Sequence, residues 1–181
     1  MAARDPAPPE LALVETFCNT VTHLWGDDQF ATLSGANDWL RQSGFPAAED
    51  DAALTELIEA RETVRAFLVD RSSEDTRGQV NALAQRHLGT PRLTSEGILT
   101  FEREGSSPSI IAAVLSALLL HGLSNAGERL KACAGTECHY VFYDHSKSRT
   151  ATWCDMNICG ARHKMRSYRK RVAANGRGGQ A

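Results

Sequence analysis

The sequence lacks the features that mark membrane proteins and the common enzyme classes. Its most apolar run, residues 110–123, is shorter than the roughly 18–20 residues that a bilayer span needs, and it contains Ser116 and His121. The first ten residues hold no basic segment followed by an apolar one, so we expect no signal peptide. Glycine-rich phosphate loops, nucleophile elbows and internal repeats are absent from the sequence. We therefore expect a cytoplasmic protein that binds no membrane and catalyses no reaction.

Charge divides the chain into two parts. Residues 1–125 contain 9 Lys and Arg against 18 Asp and Glu, whereas residues 126–181 contain 11 against 4. A chain of 181 residues can form one domain of roughly 100–150 residues and a small second unit. We predict a flexible Pro-rich leader over residues 1–9, a helical acidic domain over 10–125, a basic module over 126–174 and a disordered tail over 175–181.

Apolar spacing predicts that the acidic domain is mainly helical. The first helix runs from Glu10 to Val21, and Ser34 caps a second helix that Gly44 ends. Asp50 and Asp51 begin the clearest helix. Its apolar stripe comprises Leu54, Leu57, Ile58, Val64 and Leu68, and its exposed face comprises Glu56, Glu59, Glu62 and Arg65.

The rest of the acidic domain contains one more helical pattern, a hairpin and an apolar helix. A helix passes through Val80 and Leu83, and the stretch "RLTSEGILTF" predicts a small β-hairpin that turns at Glu96 and Gly97. Ser107 and Pro108 mark the start of the apolar helix over residues 110–123, which we expect in the core or in a dimer interface. The predicted fold class is mainly α.

Four of the five cysteines form two pairs, Cys133-AGTE-Cys138 and Cys154-DMNI-Cys159, with fifteen residues between the pairs. Two such pairs can supply the four tetrahedral ligands that zinc prefers, and a closed four-cysteine site is structural because no position stays open for water or substrate. The alternative is four unrelated buried thiols. The fifth, Cys18, is expected to be a small buried apolar residue.

The segment between the cysteine pairs predicts two short strands. "YVFYD" and "TATWC" contain aromatic and β-branched residues and are joined through "HSKS". His139 and His163 lie close to the cysteines in sequence, and either could replace one as a ligand. We expect both to be surface or supporting groups, since four cysteines already complete the tetrahedron. The module is thus ββα-like, with one structural Zn²⁺.

A basic helix is predicted to begin near Asn157 or Cys159. Its apolar residues Ala161, Met165, Tyr168 and Val172 share one face and are expected to pack on the hairpin. The basic residues suited to contacting phosphates are Arg162, Lys164, Arg166, Arg169, Lys170 and Arg171. The alternative is that these cations only balance the formal charge of −2 on a zinc ion with four thiolates.

The motifs "ACAGTEC", "VFYDHSKSR", "TWC" and "CGARHKMRSYRKR" resemble, in this order, the CGNR-type zinc fingers of bacterial proteins. The stretches "LALVETFCNTV", "ANDWLRQSG" and "LIEARETVRAFL" resemble the ABATE domain that precedes this finger. The resemblance implies a stress-induced transcription regulator with zinc ligands Cys133, Cys138, Cys154 and Cys159. Gly160 and Arg162 match the motif, whereas Ala161 replaces its Asn and removes an amide that could cap the helix or contact a base.

These observations predict a zinc-dependent DNA-binding protein, a bacterial transcriptional regulator whose helical domain senses a signal or dimerises. Two alternatives stay open: a protein- or RNA-binding zinc module, and a small-molecule sensor or enzyme in the helical domain. For the latter, Asn19, His23 and Asp38 are the residues that could meet in a ligand pocket. A small-molecule effector and a second copy of the chain are therefore also open as partners.

Overall fold

The computed structural model describes residues 4–101, 109–122 and 126–177, which form six α-helices and three two-stranded antiparallel sheets. The mainly helical fold is confirmed. The helices are α1 (Pro9–Cys18), α2 (Leu33–Gln42), α3 (Asp51–Val69), α4 (Glu74–His87), α5 (Ile110–Gly122) and α6 (Ala161–Arg177). The paired strands are β1 (Val21–Thr22) with β2 (Asp27–Asp28), β3 (Arg92–Leu93) with β4 (Leu99–Thr100), and β5 (Leu130–Ala132) with β6 (Val141–Tyr143).

Side-chain caps set the start of the second and third helices. The Asp50 carboxylate accepts a hydrogen bond from the Ala53 N–H at the start of α3, as predicted. Thr32, and not Ser34, caps α2, because its hydroxyl accepts from the Gly35 N–H. Gly44, at φ +81°, follows the end of α2 in the left-handed region that glycine adopts without strain.

The first predicted helix is too long, and the predicted hairpin is correct. α1 ends at Cys18, and Val21 lies in β1, which pairs with β2. β3 and β4 form the hairpin around Gly97, whose φ of +78° suits a tight turn. The start predicted for the apolar helix at Ser107 and Pro108 lies outside the described residues. No helix in the described parts of the chain is long and apolar enough to cross a membrane.

Two arginines of α3 are buried in the core. Arg61 and Arg65 are only 2% and 3% exposed. The prediction that Arg65 lies on the exposed face is wrong, because 100° per residue places it between Leu54 and Ile58 on the apolar side of the helix. Arg61 donates to both carboxylate oxygens of Asp28, at 2.7 and 2.9 Å. Arg65 contacts the Cys18 carbonyl and the His23 ring.

The β5–β6 hairpin connects the helical domain to the cysteine-rich module. Leu130, Val141 and Tyr143 belong to the same buried cluster as the side chains of α1, α3 and α5. Phe142 alternates with them and belongs to a second cluster that contains the four cysteines. One face of the hairpin therefore completes the helical core, and the other covers the cysteines.

Two predictions for the module are wrong in detail. The residues of "TATWC" form no strand; the first strand of the hairpin is β5, which lies before Cys133. The face of α6 formed by Met165, Tyr168 and Val172 does not pack on the hairpin, because these side chains are 52%, 57% and 52% exposed. The hairpin instead packs on the helical core.

The segment predicted as a flexible leader makes specific contacts from Arg4 onwards. Arg4 donates to the carbonyls of Trp153 and Cys154, at 2.8 and 2.6 Å, and its guanidinium lies 4.4 Å from the centre of the Phe142 ring. Ala7 is buried and donates its N–H to Glu15. The leader is thus attached to both parts of the chain.

Candidate metal centre

Cys133 and Cys138 lie at the two ends of a tight loop after β5. The Cys133 N–H donates to the Tyr140 carbonyl, and the Cys138 N–H donates to the Gly135 carbonyl. A Cβ atom at Gly135 would lie 3.1 Å from the Cys138 Cβ and 3.5 and 3.6 Å from the sulfurs of Cys133 and Cys159. Only the contact with the Cys138 Cβ is tighter than ordinary van der Waals contact, so glycine at this position relieves crowding within the loop.

Cys159 lies in a π-helical turn, Met156–Gly160, that leads into α6, and Cys154 lies two residues before this turn. The Asp155 carboxylate accepts hydrogen bonds from the N–H groups of Asn157 and Ile158, and its carbonyl accepts from the Cys159 N–H. Since Cys159 lies two residues before α6, the cysteine cluster fixes where this helix begins.

The four sulfurs have the geometry of a tetrahedral metal site. All four lie within 4.8 Å of one another, with Cys138 Sγ 3.6 Å and Cys159 Sγ 3.7 Å from Cys154 Sγ. A tetrahedron with Zn–S bonds of about 2.3 Å has sulfur–sulfur edges of about 3.8 Å. Disulfide bonding needs about 2.0 Å and does not fit these distances. The four buried cysteines fit one Zn²⁺ ion.

The electrostatics of the cluster also favour a cation. Hydrogen bonds from the Cys138 and Cys154 thiols lower the pKa of Cys133 to about 2. Hydrogen bonds with Cys133 and Cys138 raise the pKa of Cys154 well above its usual range, and burial raises that of Cys159 to about 12. Four thiolates so close together repel one another, and a divalent ion removes this repulsion as the protons leave.

Zinc with four cysteine ligands would have a structural role. It would hold the loop after β5 against the turn before α6, and its closed coordination shell has no position for a substrate. His139 and His163 are not among the four residues that meet here. The ring of His163 lies 4.9 Å from that of Trp153, and the ring of His139 lies 6.3 Å from that of His23.

Comparison with known families matches both parts of the chain. A model of the ABATE family, described as "Putative stress-induced transcription regulator", matches residues 4–124, and a model of the CGNR zinc finger matches residues 129–172. The chain belongs to the ABATE family. A search of curated proteins finds no match to this ABATE protein.

The six basic residues predicted to contact DNA lie along α6 of the ABATE protein and are all exposed. Arg166 donates to the Glu137 carboxylate at 2.9 Å and to the Thr136 hydroxyl, so this side chain is attached to the loop between Cys133 and Cys138. The other predicted contacts are Arg162, Lys164, Arg169, Lys170 and Arg171.

The three polar residues predicted to meet in a ligand pocket make separate contacts. Asn19 brackets the backbone of Val141: its Nδ2 donates to the carbonyl at 2.7 Å, and its Oδ1 accepts from the N–H at 2.9 Å. Asp38 forms an exposed ion pair with Arg41. His23 lines a separate groove with Arg65 and His139.

The most buried carboxylate of the zinc module was missed from the sequence. Asp144 accepts hydrogen bonds from Lys131 Nζ and from the N–H groups of Ser146 and Ala151, at 2.7, 3.0 and 2.9 Å. Burial alone would raise the pKa of Asp144, but the bond from Lys131 and those from Ser146 and Ala151 hold it well below its usual range. The "DHS" sequence was the available signal, since Asp commonly accepts from the backbone two residues on.

Proposed function

We propose that this ABATE protein is a bacterial DNA-binding regulator of transcription that acts in the cytoplasm in response to stress. The family supports regulation of transcription. The observation that carries DNA binding is the row of exposed cations on α6, a helix whose start is fixed by the four-cysteine cluster. The proposal assigns no reaction to the chain.

The charge of the module supports contact with a polyanion. Residues 126–181 contain 11 Lys and Arg against 4 Asp and Glu. A zinc ion with four thiolates contributes a formal −2, so about +5 remains after the site is balanced. This excess attracts phosphates, and each cation that neutralises a phosphate releases a counterion.

Salt-dependent binding to duplex DNA by the zinc-loaded chain tests the proposal. Arg169→Ala should flatten the slope of log K against log salt by about 0.9, the value for one lost phosphate contact. Arg41→Ala, which removes an exposed cation from α2, should leave the slope unchanged. Equal slopes for the parent and Arg169→Ala would show that Arg169 contacts no phosphate. The absence of binding by the parent would overturn the proposal.

A second candidate function is small-molecule sensing in a groove lined by α3, the start of α4, His23 and His139. The groove has a volume of about 530 Å³. Among the described residues, Arg65 Nε and His139 Nδ1 are buried without a hydrogen-bond partner, and both residues line it. A thermal-shift screen of small carboxylates and phosphates tests this function; a stabilising compound should lose its effect in Thr76→Val, which alters the groove wall.

A further inference from the structure

α6 exposes an apolar stripe that nothing in the described structure covers. Ala161, Met165, Tyr168 and Val172 are spaced by four, three and four residues, which places them in one line along the helix. The last three are each more than half exposed. Three large apolar side chains in one exposed line indicate a surface that binds something.

Cations lie on both sides of this stripe. At 100° per residue, Arg162 and Arg169 lie about 65–85° around the helix from the stripe on one side. Lys164 and Arg171 lie about 75–95° from it on the other side. All four are exposed. The partner must therefore accept an apolar ridge and present negative charge on both sides of it.

The contacts of the first turns of α6 direct the stripe away from the zinc site. Arg166 is attached to Glu137, and His163 lies against Trp153. These two residues lie about 125° and 175° around the helix from the stripe. The side that contacts the cysteine loops is therefore opposite the stripe, which leaves the stripe and its flanking cations accessible.

The charges argue against a second copy of α6 as the partner. The stripe has the spacing of a coiled-coil seam, but the flanking positions that would face each other in a parallel pair are all Lys or Arg. The major groove of duplex DNA meets both requirements. It is about 12 Å wide, has a phosphate strand on each side, and admits a helix of about 10–12 Å diameter.

We propose that α6 lies in the major groove of duplex DNA with Met165, Tyr168 and Val172 facing the base edges. Arg162 and Arg169 then contact the phosphates of one strand, and Lys164 and Arg171 contact those of the other. The apolar stripe reads the 5-methyl groups of thymine, the apolar feature of the major groove. This inference rests on the proposed function for DNA binding itself, and it adds the groove, the orientation and the type of sequence readout.

The first experiment measures sequence readout by the zinc-loaded full chain, on a duplex selected from a random pool and on an unselected duplex. Replacing thymine by uracil in the selected duplex should weaken binding about fivefold, because it removes the methyl groups. Tyr168→Ala with Val172→Ala should lower the preference for the selected duplex about tenfold and change binding to the unselected duplex less than twofold. Ser167→Ala, on the other side of the helix, is the matched control and should behave like the parent.

The second experiment assigns the strands by phosphate-ethylation interference on the selected duplex. Arg162→Ala with Arg169→Ala should lose interference on one strand, and Lys164→Ala with Arg171→Ala should lose it on the other. Loss on the same strand for both pairs would overturn the orientation. Circular dichroism and zinc content equal to the parent's would show that these exposed substitutions leave the fold intact.

Failure of this inference is distinguishable from failure of the proposed function. Salt-dependent duplex binding that neither the stripe variants nor uracil affects would overturn the inference and leave DNA binding in place. Absence of duplex binding by the parent would overturn both. The inference would also be overturned if the same stripe bound single-stranded RNA or an acidic helical peptide more tightly than it bound duplex DNA. That molecule would then be the partner of the stripe.

Discussion

Asn19→Ala should weaken the attachment of the zinc module to the helical domain. Two hydrogen bonds join the Asn19 amide to the N–H and C=O of Val141, whose side chain is fully buried. The variant leaves these two backbone groups without their partner. Each lost bond contributes about 0.5–1.5 kcal/mol net, and an unsatisfied buried group costs about 1–3 kcal/mol. We expect the free energy of unfolding to fall by about 2–4 kcal/mol in urea denaturation.

The chain contains a matched control for this substitution. Asn37 makes the same pair of bonds to Ala48, at 3.1 and 2.7 Å, but both residues lie within the helical domain. Asn37→Ala should also reduce stability, whereas only Asn19→Ala should speed the transfer of zinc to a coloured chelator. Equal rates of zinc transfer in the two variants, or a loss below about 0.5 kcal/mol in Asn19→Ala, would refute the attachment.

Three further predictions concern the metal centre and its support. Cys138→Ser should leave the chain with little bound zinc and with the cysteine loops and α6 unfolded, because coordination supplies much of the folding energy of so small a unit. The helices α1 to α5 and the hairpin packed on them should persist; helical circular dichroism and metal analysis check this. His163→Ala should keep one zinc per chain by the same metal analysis, since the exposed ring is not among the cluster's ligands. Asp144→Asn should destabilise the protein at pH 7 in thermal denaturation. The pKa of Asp144 is lower in the folded than in the unfolded state, where it is about 3.9, so the ionised carboxylate stabilises the fold above that pH. This stabilisation is lost as the pH falls through the folded-state pKa. The difference in stability between the parent and Asp144→Asn should therefore become smaller below about pH 4.

The zinc ligands were predictable because residue type and spacing along the chain are enough to identify a four-cysteine metal site. Two cysteine pairs with short loops can close a tetrahedron in few ways. The strands that present them were less predictable. "TATWC" has β-favouring residues but forms no strand, whereas Leu130 and Lys131, which carry no such signal, pair with Tyr143 and Phe142. Strand formation here depends on packing against the helical core. The β-propensity of the residues in a segment does not reveal such packing.

Helical spacing correctly placed the apolar residues of α6 in one line. It did not predict what this line contacts. The line from Ala161 to Val172 is exposed because both faces of the hairpin that it was expected to cover are occupied, one by the helical core and the other by the cysteine cluster. In α3 the error was to place Arg65 on the exposed face, and Arg61, the other buried arginine, was assigned to neither face. Arg61 occurs in the middle of the apolar stripe, and a charge at that position is the sequence signal of a buried, paired side chain. Its partner Asp28 is 33 residues away, which no local pattern reveals.

The attachments between the two parts of the chain explain why they can act as one unit. Asn19 brackets β6, Arg71 donates to the carbonyls of Gly127 and Leu130, and Arg4 donates to those of Trp153 and Cys154. These contacts reach the module's first strand, its second strand and the segment that precedes α6. Three separated contacts hold the module against the rest of the chain, so they influence where α6 lies. A change in the helical domain at any of these side chains would therefore move the helix that we propose enters DNA.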